Sequence, residues 1–138
     1  MRKNLMFQLW TEFNARAKGY YFVRKYTFAD KDEPEKQQIY DIVNSELPSQ
    51  MQLMYNNYYS TKDGFQQAYF VLHYLGRLFT LQRIFPNYFN NDFILKHIGE
   101  NNWMYQWFIF LSTHTKLEDA YDHFDEMNKI LKQNFKCF

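Results

Sequence analysis

The chain has 138 residues, a formal charge of +1, 46% apolar residues and 22% aromatic ones. Such abundant large hydrophobes exclude an intrinsically disordered chain. The near-neutral total argues against broad electrostatic capture of nucleic acid, which scales with the number of phosphates neutralised. A chain of this length lies in the commonest single-domain range and buries roughly two thirds of its unfolded surface, so one domain over residues 1–138 is expected.

Charge is unevenly spread. Residues 1–28 hold six basic groups against Glu12, whereas residues 29–63 hold three basic and seven acidic ones; the second segment is placed to cover the first. The lone cysteine, Cys137, has no partner for an internal disulfide, lies where chain ends usually fray, and fits a reducing, cytoplasmic setting. No targeting segment is visible after Arg2 and Lys3. The longest apolar run, residues 107–111, falls short of the ~20 residues that span a bilayer, so a soluble protein with no membrane partner is expected.

In chain order, Leu5, Leu9, Phe13 and Ala17, with Met6 and Trp10, mark an amphipathic helix from Asn4. Beyond Gly19 the text YYFVRKYTF favours a strand by propensity, but a lone strand leaves its backbone unpaired. The helix is therefore expected to continue to about Phe28. Residues 29–34 read as a turn and helix start with Asp32 as N-cap and Pro34 in the first turn. Ile39, Ile42, Val43 and Leu47 line the next helix, which Pro48 should stop near Glu46. Ser49 then caps a segment whose Met51, Met54, Tyr55, Tyr58 and Tyr59 form a soft, adaptable face.

Residues 65–85 organise the rest. Phe65, Tyr69, Leu72, Gly76 and Phe79 fall on one line, Val71, Tyr74, Leu78, Leu81 and Phe85 cover the back, and Gln66, His73, Arg77 and Thr80 collect in a narrow polar strip. A helix this apolar must sit among several others. Asn91 should cap a short helix closed by Gly99. Residues 103–111 form a second buried segment that periodicity alone cannot assign to helix or strand; neighbouring capping signals favour helix. Thr115 and Glu118 form a capping box opening a last helix with Leu117, Ala120, Tyr121, Phe124, Met127, Leu131 and Phe135 on one face. Its other face carries Glu118, Asp119, Asp122, Asp125 and Glu126. The expectation is an all-α, compact bundle of five to seven helices around residues 65–85.

No motif names a chemistry. The four glycines are isolated, which excludes a phosphate loop, and neither a serine elbow nor an activated thiol is present. Metal-binding bundles use Glu-x-x-His pairs; here His97 and Glu100 stand in the reverse order across Gly99, and Asp119 and His123 fall at the edge of their helix. No catalytic residue, metal or cofactor is expected.

Three readings remain. The first is a non-catalytic interaction protein, an adaptor or inhibitor of the kind a phage or mobile element carries, contacting another protein or a second copy of itself through Tyr55, Tyr58 and Tyr59. The second is a nucleic-acid-associated protein using Arg16, Lys18, Arg24 and Lys25 among Tyr20, Tyr21 and Tyr26, since rings stack on bases while cations hold phosphates. The third is a small-anion binder or enzyme at Gln66, His73, Arg77 and Thr80, where His73 and Arg77 stand one helical turn apart.

Overall fold

The computed structural model describes residues 3–27, 34–99 and 102–138. Of the turn and helix start expected at 29–34, residues 29–33 with the Asp32 N-cap lie outside them, as do the expected end at Phe28 and Glu100. The described residues are helical almost throughout and contain no strand.

Helix α1 (Lys3–Thr27) buries Met6, Leu9, Trp10, Phe13 and Ala17 at the three- and four-residue spacing of one helical face. It continues through Gly19 and the strand-favouring YYFV as expected, because a single glycine costs only about 0.5–1 kcal/mol. An unpaired strand would forfeit a whole set of backbone hydrogen bonds.

Pro48 does not stop the next helix. α2 (Glu35–Asp41), a π-helical turn (Ile42–Glu46) and α3 (Leu47–Tyr59) run on as one rod. The Leu47 N–H bonds to the Ile42 carbonyl five residues back, which defines the widened turn. Pro48 thus stands in the first turn of α3, where a missing N–H costs little. Ser49 is consequently inside α3 and caps nothing. Ile42 and Leu47 are buried, while Ile39 and Val43 are only partly covered.

α4 (Gly64–Ile84) is the central helix. Asp63 caps it by accepting from the Phe65 N–H at 2.9 Å. Ala68, Val71, Leu72, Tyr74, Leu75, Gly76, Leu78, Thr80 and Leu81 are all buried, with α1, α3 and α6 packed against the helix. α1 crosses at Gly76, where an added Cβ would meet the Ala17 nitrogen and the Arg16 Cβ at 3.7 Å. These are ordinary van der Waals distances, so the crossing leaves room for a Cβ.

α5 (Asn91–Ile98) is capped by Asn90 rather than Asn91, since the Asn90 side chain accepts from the Phe93 N–H at 2.9 Å. Gly99 closes the helix with φ of 76°, the left-handed conformation that favours glycine. α6 (Asn102–Thr113) is the second buried segment and is a helix; Trp107, Phe108 and Leu111 have no exposed surface.

The expected last helix is two. α7 (Leu117–Asp122) and α8 (Phe124–Lys132) meet at His123 (φ −113°, ψ 12°). The capping box does not form: Lys116 holds the N-cap position and makes no side-chain cap bond. Leu117 and Tyr121 are exposed, whereas Ala120, Phe124, Met127, Leu131 and Phe135 are buried. The chain end is packed instead of frayed. Phe135 meets Trp103 edge to face at 5.1 Å and Phe138 at 5.8 Å, and half-buried Cys137 rests over Gly64. Buried side chains of α1, α4, α5, α6 and α8 join in one cluster. Among the described residues no helix is long and apolar enough to cross a membrane.

Candidate functional site

The polar strip of α4 is mostly enclosed. Gln66 is exposed, Thr80 is buried, and His73 and Arg77 are partly covered by α1 and α3. Thr80 Oγ1 donates to the Ala17 carbonyl at 3.1 Å and so fastens α4 to α1.

His73 and Arg77 each already face a carboxylate from another helix. Glu12 of α1 accepts from Arg16 Nε and from the Tyr69 hydroxyl, both at 2.9 Å, and its Oε1 lies 3.4 Å from His73 Nε2 without hydrogen-bond alignment. Burial alone would raise the Glu12 pKa, but Arg16 and Tyr69 hold it below its ordinary value. Burial, then Arg16, push His73 down, so this imidazole favours the neutral form. Glu46, in the π turn, pairs with Arg24 and lies 3.9 Å from Arg77. Arg77 also stacks on the Tyr20 ring at 4.3 Å. The acidic segment after residue 28 therefore does cover part of the basic α1, through Glu46.

Clefts of about 120 and 200 Å³ flank Arg77, the first bounded by His73 and Phe70, the second by Val23, Glu46 and Thr80. Both are smaller than the roughly 300 Å³ at which ligand pockets begin. The strip is a set of polar ties between helices, with little room for a guest.

Tyr55, Tyr58 and Tyr59 stand together on α3. Tyr55 stacks on Tyr59 at 6.2 Å, Tyr58 meets Tyr59 edge on at 5.1 Å, and the Tyr58 hydroxyl accepts from Asn134 Nδ2 at 2.9 Å. Tyr59 is 76% exposed, while Tyr55 and Tyr58 pack partly on the core.

A further uncovered aromatic surface lies on α1. After Ala17, α1 runs about two and a half turns in which no described side chain is buried. Phe22, Val23 and Tyr26 are 56%, 55% and 66% exposed, and the Phe22 and Tyr26 rings stack at 5.7 Å. Of the basic residues read in this stretch, Arg16 and Arg24 are engaged by Glu12 and Glu46, while Lys18 and Lys25 are exposed. Lys25 lies over Tyr21 and Tyr26, and Arg83 of α4 stacks on Tyr21 at 4.6 Å. The sequence marked this stretch as basic and aromatic but did not single out Phe22 and Val23. Their signal was the cessation of the buried spacing at Ala17 within an uninterrupted helix.

Comparisons with protein-family models, with curated proteins and with solved structures found no match.

Proposed function

We propose that this chain is a non-catalytic protein-binding module, an adaptor or inhibitor, and that the C-terminal half of α1 is its contact surface. The observation that carries this reading is the run of exposed Phe22, Val23 and Tyr26 on a helix that buries one face elsewhere. Exposed aromatics clustered on one element mark interaction surfaces. Between Glu12 and the end of α1 there is no acidic residue, and Lys18, Lys25 and Arg83 surround the apolar side chains. The complementary partner is a segment with apolar side chains flanked by carboxylates. Tyr55, Tyr58 and Tyr59 are a second, smaller contact on the same reading.

A photo-crosslinking residue at position 22, with the chain expressed in its native cells, tests this. The expected result is a protein adduct that disappears with Val23→Glu or Tyr26→Glu, both of which leave the fold intact because these side chains are exposed. Protein adducts unchanged by either substitution would count against the proposal.

Single-stranded nucleic acid is the second reading, favoured by the stacked Phe22 and Tyr26 rings beside Lys25. It is weakened by the engagement of Arg16 and Arg24 with carboxylates. Filter binding at two salt concentrations separates the two, since phosphate contacts give salt-sensitive retention. The third reading, an anion site at His73 and Arg77, is supported least, because Glu12 and Glu46 already face those side chains.

A further inference from the structure

We infer that His114, Asp119 and His123 form a site for one divalent transition-metal ion of the zinc class, built where the α6–α7 connection meets the α7–α8 junction. His114 Nδ1 lies 2.5 Å from Asp119 Oδ2, and His123 Nδ1 lies 3.4 Å from Asp119 Oδ1. The two imidazoles lie nearly parallel with centroids 4.6 Å apart. One ligand atom from each residue lies within 4.8 Å of the other two. Two imidazoles and one carboxylate are a donor set that zinc, copper and nickel accept, with at least one coordination position left open.

The backbone is shaped for this arrangement. In a continuous helix the His123 N–H would bond to the Asp119 carbonyl. It bonds instead to the Ala120 carbonyl, and the Asp119 carbonyl accepts from His123 Nδ1 at 2.8 Å. A backbone carbonyl on one ring nitrogen is the contact that orients a metal-binding imidazole, with the other nitrogen, Nε2, as the ligand. Neither proline nor glycine explains the break at His123. His114 is held from behind by Phe110 at 4.5 Å, and its carbonyl accepts from Trp10 Nε1 at 2.8 Å.

With bonds of about 2.0–2.2 Å, ligand atoms around a tetrahedral ion stand roughly 3.3 Å apart. The ligand atoms now lie within 4.8 Å of one another, and because the lone pair of each ring nitrogen lies in its ring plane, the two stacked imidazoles swing apart as the ion draws these atoms together. The His114–Asp119 contact, now a hydrogen bond, would open by less than about 1 Å as the cation replaces the shared proton. Asp119 and His123 are partly exposed, so an ion reaches them without unfolding, and the exposed carboxylates of Glu118, Asp122, Asp125 and Glu126 draw cations to this side.

The test uses the full chain without a histidine tag, titrated with Co²⁺ and followed by its visible d–d absorption. One saturable equivalent, displaced by Zn²⁺, is expected. His123→Gln and Asp119→Asn should each weaken binding by at least about tenfold, the loss found even for outer partners of metal ligands. Glu118→Gln, which leaves the three ligands in place, should not change it. Both site variants alter partly exposed side chains, and circular dichroism would verify that they fold. Absence of a saturable band, or equal affinity in all four proteins, would overturn the assignment and leave only loose attraction to the acidic face.

Discussion

His97 shows how one half-buried side chain couples folding to pH. Its Nε2 meets the Tyr74 hydroxyl, and its ring stacks on Phe93 at 5.5 Å. Burial pushes the Tyr74 hydroxyl far above its ordinary value, so it stays protonated and donates to a neutral imidazole. Burial lowers the His97 pKa for the same reason. An unfolded imidazole titrates near about 6.5, so the unfolded chain takes up the proton first as pH falls. The contribution of His97 is complete above about pH 6.5 and is lost as pH drops through the lower folded value. Melting temperature should therefore decline between about pH 6.5 and pH 5, and His97→Gln should flatten that decline. An equally steep fall in the variant would assign the effect to other groups, His73 first, whose pKa is lowered in the same direction. In sequence this pair is invisible, as are the carboxylates facing His73 and Arg77. The helical spacing of Gln66, His73, Arg77 and Thr80 was legible because it is local; Glu12 and Glu46 reach them from other helices, and only packing brings them there.

Among elements, those defined by local signals were legible: the central helix, the Gly99 stop, and the buried segment at 103–111 as a helix. Pro48, Ser49 and the Thr115–Glu118 pair misled because each carries a local preference that the packing overrides. The clue for Pro48 lay in Ile42 and Leu47. Both are buried although five apart, a spacing that turns them about 140° away from each other on a regular helix but aligns them across a π turn. The extra residue absorbs what Pro48 cannot tolerate, a tight turn with an N–H due to the carbonyl four back. Deleting Asn44, which is exposed, should convert the turn to regular helix and press Pro48 against that carbonyl, costing about 3 kcal/mol. In a Pro48→Ala background the same deletion should cost little. Urea denaturation of the four chains measures the coupling, and additive effects would show that the π turn does not exist on account of the proline.

At the scale of the whole molecule, the C-terminal residues close the core. Phe135 is 4% exposed, and Phe138 and Trp103 are each 8% exposed. Trp103 anchors α6, Phe135 packs on it, and Phe135 also touches Tyr58 of α3 at 6.3 Å. A segment without helical structure thereby joins α3, α6 and the start of α4, where Cys137 lies over Gly64. Composition placed this stretch at a chain end and so suggested fraying; its two phenylalanines carry the opposite information, because each has enough apolar area to hold the segment down. Ending the chain before Phe135 should remove that closure and expose Trp103. Losing one buried Phe costs about 3–5 kcal/mol, and the truncation removes both Phe135 and Phe138, so at roughly 3 °C per kcal/mol the melting temperature falls by at least about 10 °C. A calorimetric scan of the truncated chain reads this directly. A melting temperature within about 2 °C of the parent would mean that less than about 1 kcal/mol rests on the segment, and that α3 and α6 are held by the neighbouring helices without it.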